Sequence, residues 1–292
     1  MYSDFYEFVK NKTDEEYRDL LCRAVLEDVI NGVKMPGFPD VQIQKQFVGT
    51  SGSATLQGEP WTFYQLIKGY MAIYSEPIGP NTTILDFGCN WGRTTRFFFK
   101  DTNTSNVYGV DIDPEIIQEC KNILPYGNFE VCSSSPPTRF ENNFFDVIYA
   151  YSFFTHLKDD IALKWVEECA RILKPNGLLI ATTNGERFLD HCKEMRDASK
   201  ERPLDDYSSV LVQSLDPIED SIERYRSGEP LYVGIGGGGV RHSSFYGVSV
   251  IPKGFIETEF GKHLKFRHFS VDNGLMHSVF VMQKQDKKED LL

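Results

Sequence analysis

The sequence predicts a doubly wound α/β fold, a mostly parallel seven-stranded sheet flanked by helices, and three observations predict it. Short apolar runs at 84–87, 106–111, 128–132, 144–152 and 178–184 mostly alternate with stretches of helical periodicity, the order that parallel connections require. The run 144–152 is almost continuously apolar, as a strand buried on both faces must be. Two further runs, 264–271 and 276–283, flank Asp272, Asn273 and Gly274, a turn chemistry that closes an antiparallel hairpin.

The chain opens with an expected helical cap over residues 1–80. Tyr17, Leu20, Leu21, Ala24 and Val25 recur at spacings of three and four, which predicts an amphipathic helix over 14–33 ending at Asn31 and Gly32. Between 35 and 58, Pro36, Pro39 and the small-residue run 49–54 break regular structure. That segment reads equally well as a lid and as a plain surface connection. Residues 60–74 form a second helix with Phe63, Leu66, Ile67, Tyr70 and Met71 on one face.

A sheet domain is expected over 81–284. Its first strand, 84–87, runs into the turn Gly88, Cys89, Asn90, Trp91, Gly92, and the turn opens a helix at 93–100. Glycine at both ends lets the backbone take positive φ and approach a ligand closely, and a helix start presents unpaired N–H groups. Strand two ends at Asp111, where a carboxylate can accept from two vicinal hydroxyls of a ribose. Asp113 is placed to cap the next helix ahead of Pro114, and Ile112 either packs on an adenine ring or on the sheet. Strand three, 128–132, leads to Ser133 and the Pro136, Pro137 pair; strand four leads to residues 153–157, which include His156. A helix over 159–173 is stopped by residues 174–177 ahead of strand five.

Residues 185–239 form an insertion after strand five, expected to lie over the carboxyl edge of the sheet. Its glycine run, 234–240, follows no clear strand and opens no helix, so it reads as a flexible joint rather than a phosphate cradle. Residues 240–251 are strand-like, 253–260 helical, and the charged tail 285–292 is expected to be disordered.

The formal net charge of −11, with Lys and Arg scattered, opposes docking on a phosphate backbone and argues against nucleic acid as partner. The cysteines, Cys22, Cys89, Cys120, Cys132, Cys169 and Cys192, include no C-x-x-C pair and read as reduced thiols. No apolar run is long enough to span a bilayer, and the acidic start lacks a signal-peptide pattern. A soluble cytoplasmic protein that binds no membrane is the expectation; oligomeric state stays open.

Motif by motif over 83–184, the chain resembles the class I S-adenosylmethionine-dependent methyltransferases, whose sheet is Rossmann-like. The stretch 84–93 is similar to that family's first motif, an acidic residue before a glycine-rich turn. Residues 107–113, 145–150 and 173–179 are similar to three later motifs, and the terminal hairpin resembles the family's closing antiparallel pair. The resemblance implies S-adenosylmethionine as cofactor. Gly88, Cys89, Asn90 and Gly92 would line its methionine portion, Asp86 would orient the turn and attract the ammonium, and Asp111 would hold the ribose. Ile112 and Ser133 would lie near the adenine, and Tyr151 would face the cofactor from the end of strand four. The departure is Asn90 in place of the usual middle glycine, among the less costly residues at positive φ.

A sulfonium gives up its methyl by direct displacement, so the protein has to align an acceptor lone pair and exclude water. For a hydroxyl acceptor a base must take the proton. His156 leads as that base, with bracing of the neighbouring turn as its plainer role, and His242 comes second. Tyr151, Phe153, Phe245 and Tyr246 form either an aromatic wall or ordinary core. No compact set of His and carboxylates points to a metal. The expected reaction is O-methylation of a small molecule or glycan-type acceptor, similar to bacterial methyltransferases of surface-glycan and secondary-metabolite assembly. The rivals are a noncatalytic adenosylmethionine-binding protein and a nicotinamide-dependent dehydrogenase, disfavoured because Gly88 and Gly92 do not have the G-x-G-x-x-G spacing. A nucleic-acid amino-methyltransferase is disfavoured too, because Ser135, Pro136 and Pro137 precede the fourth strand instead of following it.

Overall fold

A computed structural model describes residues 3–286. The expected tail falls mostly outside the described residues.

The N-terminal cap comprises α1 (Ser3–Val9) and α2 (Asp14–Arg23), followed by β1 (Val29–Ile30), β2 (Val33–Lys34), α3 (Val41–Val48) and α4 (Glu59–Tyr74). Thr13 and Glu16 close a capping box on α2, and Asp40 caps α3. The helix expected over 14–33 stops ten residues earlier. Asn31 and Gly32 both take positive φ, 51° and 78°, and β1 and β2 pair as a two-residue hairpin across them. The Asn-Gly dipeptide therefore acts as a hairpin turn and not as a helix end.

The sheet is built from β3 (Ile84–Phe87), β4 (Val107–Asp111), β5 (Asn128–Val131), β6 (Phe145–Ala150) and β7 (Leu173–Thr183), with α5 (Pro114–Ile123) and α6 (Asp159–Ile172) between strands. Residues 93–100 do not form an α-helix: they turn as a 3-10 segment, Thr95–Lys100, whose side chains are all buried. The insertion supplies α7 (Glu186–Ala198), α8 (Asp206–Ser214), α9 (Ile218–Arg226) and β8 (Leu231–Val233), which pairs with β9 (Val248–Val250). Of the strand-like stretch 240–251 only β9 forms a strand; Gly238 and Arg241 close a turn through an isolated bridge, and Tyr246 makes another with Leu157. Then come α10 (Lys253–Thr258), β10 (Lys265–Ser270) and β11 (Ser278–Gln283).

The seven-stranded sheet has the order β10-β11-β7-β6-β3-β4-β5; β11 runs antiparallel to both its neighbours, β10 and β7, and the other pairings are parallel. This is the expected doubly wound architecture. β3 pairs β4 on one side and β6 on the other, so the chain order reverses beside its carboxyl end, where ligands bind in such sheets. One apolar layer packs the cap on the sheet through Phe5, Leu21, Phe63 and Phe98; the other packs α6 and α10 through Trp165, Val166 and Ile256. A buried-charge knot fastens the cap: Lys68 and Lys100 both reach Asp14, at 2.7 and 2.8 Å, and Lys100 also reaches Asp101 at 2.9 Å. The helices α7–α9 bury Leu189, Cys192, Leu211 and Ile222 against one another and against β8 and β9.

Candidate functional site

The turn after β3 keeps its shape without a middle glycine. Gly88, Asn90 and Gly92 take φ of 78°, 49° and 73°. Asn90 accommodates the left-handed region, and its side-chain oxygen accepts from the Trp91 N–H at 2.7 Å. Its backbone N–H donates to Asp111 Oδ2 at 3.1 Å, while Gly88 and Cys89 donate to the Val110 carbonyl. The first motif is thereby tied to the tip of β4. Gly88 and Asn90 line the cavity above the turn, and so does Cys89, a thiol that burial pushes up. Gly92 does not line it. A Cβ there would stand 2.2 Å from Leu124 Cδ1, so this glycine answers to packing against the residue after α5 rather than to a ligand.

Two carboxylates stand at this edge. Asp86 is buried at the end of β3, where it accepts from Thr95 Oγ1 at 2.5 Å and from the Tyr149 hydroxyl at 2.8 Å. Burial outweighs both bonds and pushes its pKa up to about 7. Asp111 is buried at the tip of β4 with its pKa raised by burial. Its Oδ1 accepts from the Asp113 N–H at 3.1 Å and its Oδ2 from Asn90, which leaves each oxygen a lone pair. Arg241 stands over the pair, 3.5 Å from Asp111 Oδ1 and 3.1 Å from Asp113 Oδ2.

These carboxylates open onto a cavity of about 630 Å3. Ile112 lines it. Ser133 does not: it points to solvent, while Cys132 and Ser134 line the wall on either side of it, the alternation an extended chain imposes. Another wall begins at the end of β6 with Tyr151, Ser152 and Phe153. Ser152 holds φ of 54°, a left-handed conformation uncommon away from glycine. His156 lies beyond it, stacked on Tyr246 with ring centroids 4.4 Å apart. Its Nδ1 bonds the Gly247 carbonyl at 2.8 Å, which puts the proton on Nδ1, and its Nε2 faces Ser152 Oγ at 3.4 Å. Burial drops its pKa to about 4.

His242 is exposed and does not line the cavity; the turn at 238–241 brings Arg241 and Tyr246 inward in its place. The insertion helices do not line it either, because their apolar faces are spent on one another. The glycine run does take part. Gly237 lines the wall, and a Cβ there would stand 2.7 Å from Tyr246 Cε1. The stretch before α4, expected to lack regular structure, forms α3 there, and the end of α3 contributes Gln46, Phe47 and Val48, with the Arg241 guanidinium 5.6 Å from the Phe47 ring centre.

Glu59, Arg93 and His277 are among the polar wall residues not singled out from the sequence. Arg93 directly follows the glycine turn, a position that could have flagged it. Its guanidinium lies 5.9 Å from the Tyr151 ring centre, and burial lowers its pKa. The Tyr151 hydroxyl is buried without a hydrogen bond of ordinary geometry among the described residues, though the nearby Glu59 carboxylate adds to the upward push of burial on its pKa.

The donor set fits S-adenosylmethionine. Asp111 offers two carboxylate lone pairs for a ribose diol, the buried Asp86 would regain its charge beside an ammonium, and the Trp91 indole N–H is buried at the wall with no acceptor among the described residues.

Comparison with known proteins agrees with this geometry. Residues 84–177 match the family model described as a methyltransferase domain. The 2-methyl-6-phytyl-1,4-hydroquinone methyltransferase of a Synechocystis species is 28% identical over 115 residues, 38% of this chain and 35% of that protein, so the chain spans about a third of that relative's length. A protein of Pyrococcus horikoshii OT3 superposes with a TM-score of 0.50 at 18% identity, over 77% of this chain and 89% of that one. An S-adenosylmethionine-dependent methyltransferase of Mesorhizobium loti gives a TM-score of 0.49 at 13% identity, over 78% and 99% of the two chains. The likeness to the Pyrococcus structure is one of fold. Residues 84–177 thus carry a methyltransferase domain.

Proposed function

We propose that the protein methylates a hydroxyl of a small-molecule or glycan-type acceptor by direct in-line transfer from S-adenosylmethionine. The observation that carries the reading is that one cavity joins the buried acids Asp86 and Asp111 to an opposite wall of aromatic rings and imidazoles. On this reading Asp111 holds the ribose, Ile112 and Ser134 flank the adenine, and Gly88, Cys89 and Asn90 line the methionine portion with its ammonium toward Asp86. Arg93, a buried cation with no ion pair among the described residues, takes the carboxylate of that portion. The cofactor supplies an activated methyl on a sulfonium; the chain orients the acceptor, excludes water and receives a proton.

Tyr246, Phe245 and Phe47 give the acceptor an apolar bed, while Tyr151, Glu59, His156 and His277 offer polar contacts. Most of that wall lies outside the residues matched to the family model, so the acceptor is set by parts particular to this chain. The Synechocystis relative is named for a hydroquinone, a small molecule that bears hydroxyls. The negative charge supports neither nucleic acid nor an anionic membrane as partner, and six free cysteines support a cytoplasmic setting. A noncatalytic adenosylmethionine-binding protein is the second reading, favoured by the Arg241 contact that covers the ribose acid.

The test is methyl transfer from methyl-labelled adenosylmethionine to a panel of methyl glycosides, nucleotide sugars and hydroquinones. Label in an ether product is expected. Tight adenosylmethionine binding with no labelled product from any acceptor would favour the noncatalytic reading.

A further inference from the structure

A second imidazole in the cavity is better placed than His156 to take a proton. His277 sits immediately before β11, and its Nδ1 lies 3.0 Å from Asn184 Oδ1 at the end of β7. The orientation of that amide is set independently, because Asn184 Nδ2 donates to the Ser249 carbonyl at 2.9 Å. The oxygen must therefore face the histidine, and His277 must donate from Nδ1. Its Nε2 is left as the lone pair, on a side chain that lines the cavity and with no hydrogen bond to that atom among the described residues. The ring packs edge-on to Tyr151, with centroids 5.6 Å apart.

The surroundings differ from those of His156 in the charge they favour. A base that accepts a proton in the transition state ends as a cation and needs an anion nearby. Glu59, at the start of α4, is near enough to His277 to oppose the downward push of burial on its pKa, and its Oε1 accepts from the adjacent Met276 N–H at 3.3 Å. The groups around this corner are Glu59 from α4, Tyr151 from the end of β6, Arg93 after the glycine turn, and His156. Around His156 the charges that act are Arg241 and His277, both opposing protonation, and its Nε2 already faces the Ser152 hydroxyl.

We propose that His277 is the general base, its ring held by Asn184 and its protonated form stabilised by Glu59, and that His156 is a positioning residue for Tyr246 and the wall behind it. The assignment rests on the methyl-transfer reading with a hydroxyl acceptor. As the acceptor oxygen bonds to the methyl carbon, the carbon–sulfur bond breaks with its electron pair remaining on sulfur, and the acceptor proton passes to His277 Nε2. The positive charge of the sulfonium thus ends on the imidazolium.

The assignment predicts a pH profile. His277 must be neutral to act, so turnover rises with pH through its pKa, below the ordinary histidine value, and then levels. Glu59→Gln removes the opposing anion, so the limb moves to lower pH while the plateau falls.

The closing experiment uses the full chain in two arms. Nitrogen-15 NMR of the histidines with S-adenosylhomocysteine bound should show His277 carrying its proton on Nδ1, with a pKa that drops in Glu59→Gln. In the acceptor panel above, His277→Gln should lose at least a hundredfold in turnover with S-adenosylhomocysteine affinity kept within threefold, and Asn184→Ala should shift the pH limb. His156→Gln should lower turnover while keeping the limb. A proton on Nε2, a pKa indifferent to Glu59, or turnover that survives His277→Gln would overturn the assignment. If the wild type binds S-adenosylhomocysteine and labels no acceptor, the methyl-transfer reading fails, and the base assignment with it; transfer that persists without dependence on His277 overturns the assignment alone.

Discussion

Tyr149 donates its hydroxyl to Asp86 at 2.8 Å from the neighbouring strand, with the tyrosine fully buried and the carboxylate 4% exposed at the edge of the cavity. That bond and the one from Thr95 orient the carboxylate without compensating its burial, which is why the pKa stands at about 7. An ammonium placed beside Asp86 favours the ionised form. Binding of adenosylmethionine near pH 6 should therefore release close to one proton, and affinity should rise between pH 5.5 and 7.5. Titration calorimetry in buffers of different ionisation enthalpy reads the proton directly; heats independent of buffer would contradict the contact. In the ligand-free protein the same shift acts on folding. Its contribution is full below the unfolded value of about 4 and is lost as pH rises through the folded value near 7.

Asp111→Ala should weaken S-adenosylhomocysteine binding about 10- to 100-fold, the equivalent of about 1.5–3 kcal/mol for hydrogen bonds to a charged group. Asp111→Asn should fall between, since it keeps the acceptor at Oδ1. Affinity unchanged in Asp111→Ala would remove the ribose role.

Asn90 occupies the left-handed region at φ of 49° while its side chain satisfies the next N–H. Asn90→Gly should leave thermal stability within about 1 kcal/mol, because glycine takes this φ freely but surrenders the side-chain bond. Asn90→Val should cost about 2 kcal/mol or more, since a β-branched residue resists positive φ, and should weaken cofactor binding. Chemical denaturation of both variants checks the order; equal stability would contradict it.

Much of this was legible before the coordinates. Apolar runs, the glycine turn and the terminal hairpin are local signals, and each states its own role in a few residues. What was not legible depends on partners far along the chain. Nothing near His277 in sequence announces Asn184, 93 positions away, or Glu59, more than 200 away. That Ser134 lines the cavity and Ser133 does not depends on where strand pairing ends, and β5 ends at Val131. The glycine run follows no clear strand and opens no helix, and its part in the wall needs Tyr246 folded against it, which its own residues do not announce. Asn31 and Gly32 were a different matter, since their hairpin chemistry was visible and the helical period before them was extended too far.

The charge knot under the cap gives an acid-stability prediction. Burial pushes Asp14 up, but bonds from Lys100 and Lys68 outweigh it and hold the carboxyl well below its ordinary range. A depressed carboxylate contributes stability above the unfolded value of about 4, lost as pH falls toward the folded one. Asp14→Asn should cost about 2 kcal/mol at pH 7 and flatten the loss of stability below pH 4. Urea melts at pH 7 and pH 3 measure both; a variant as acid-sensitive as the wild type would contradict the knot's role.

The central claim is that the cavity at the switch between β3 and β6 holds S-adenosylmethionine. Isothermal titration of the wild-type chain with S-adenosylhomocysteine and, separately, with NAD tests it most directly. The account predicts saturable one-to-one binding of S-adenosylhomocysteine and no heat of binding for NAD; binding of NAD alone, or of neither, would contradict it.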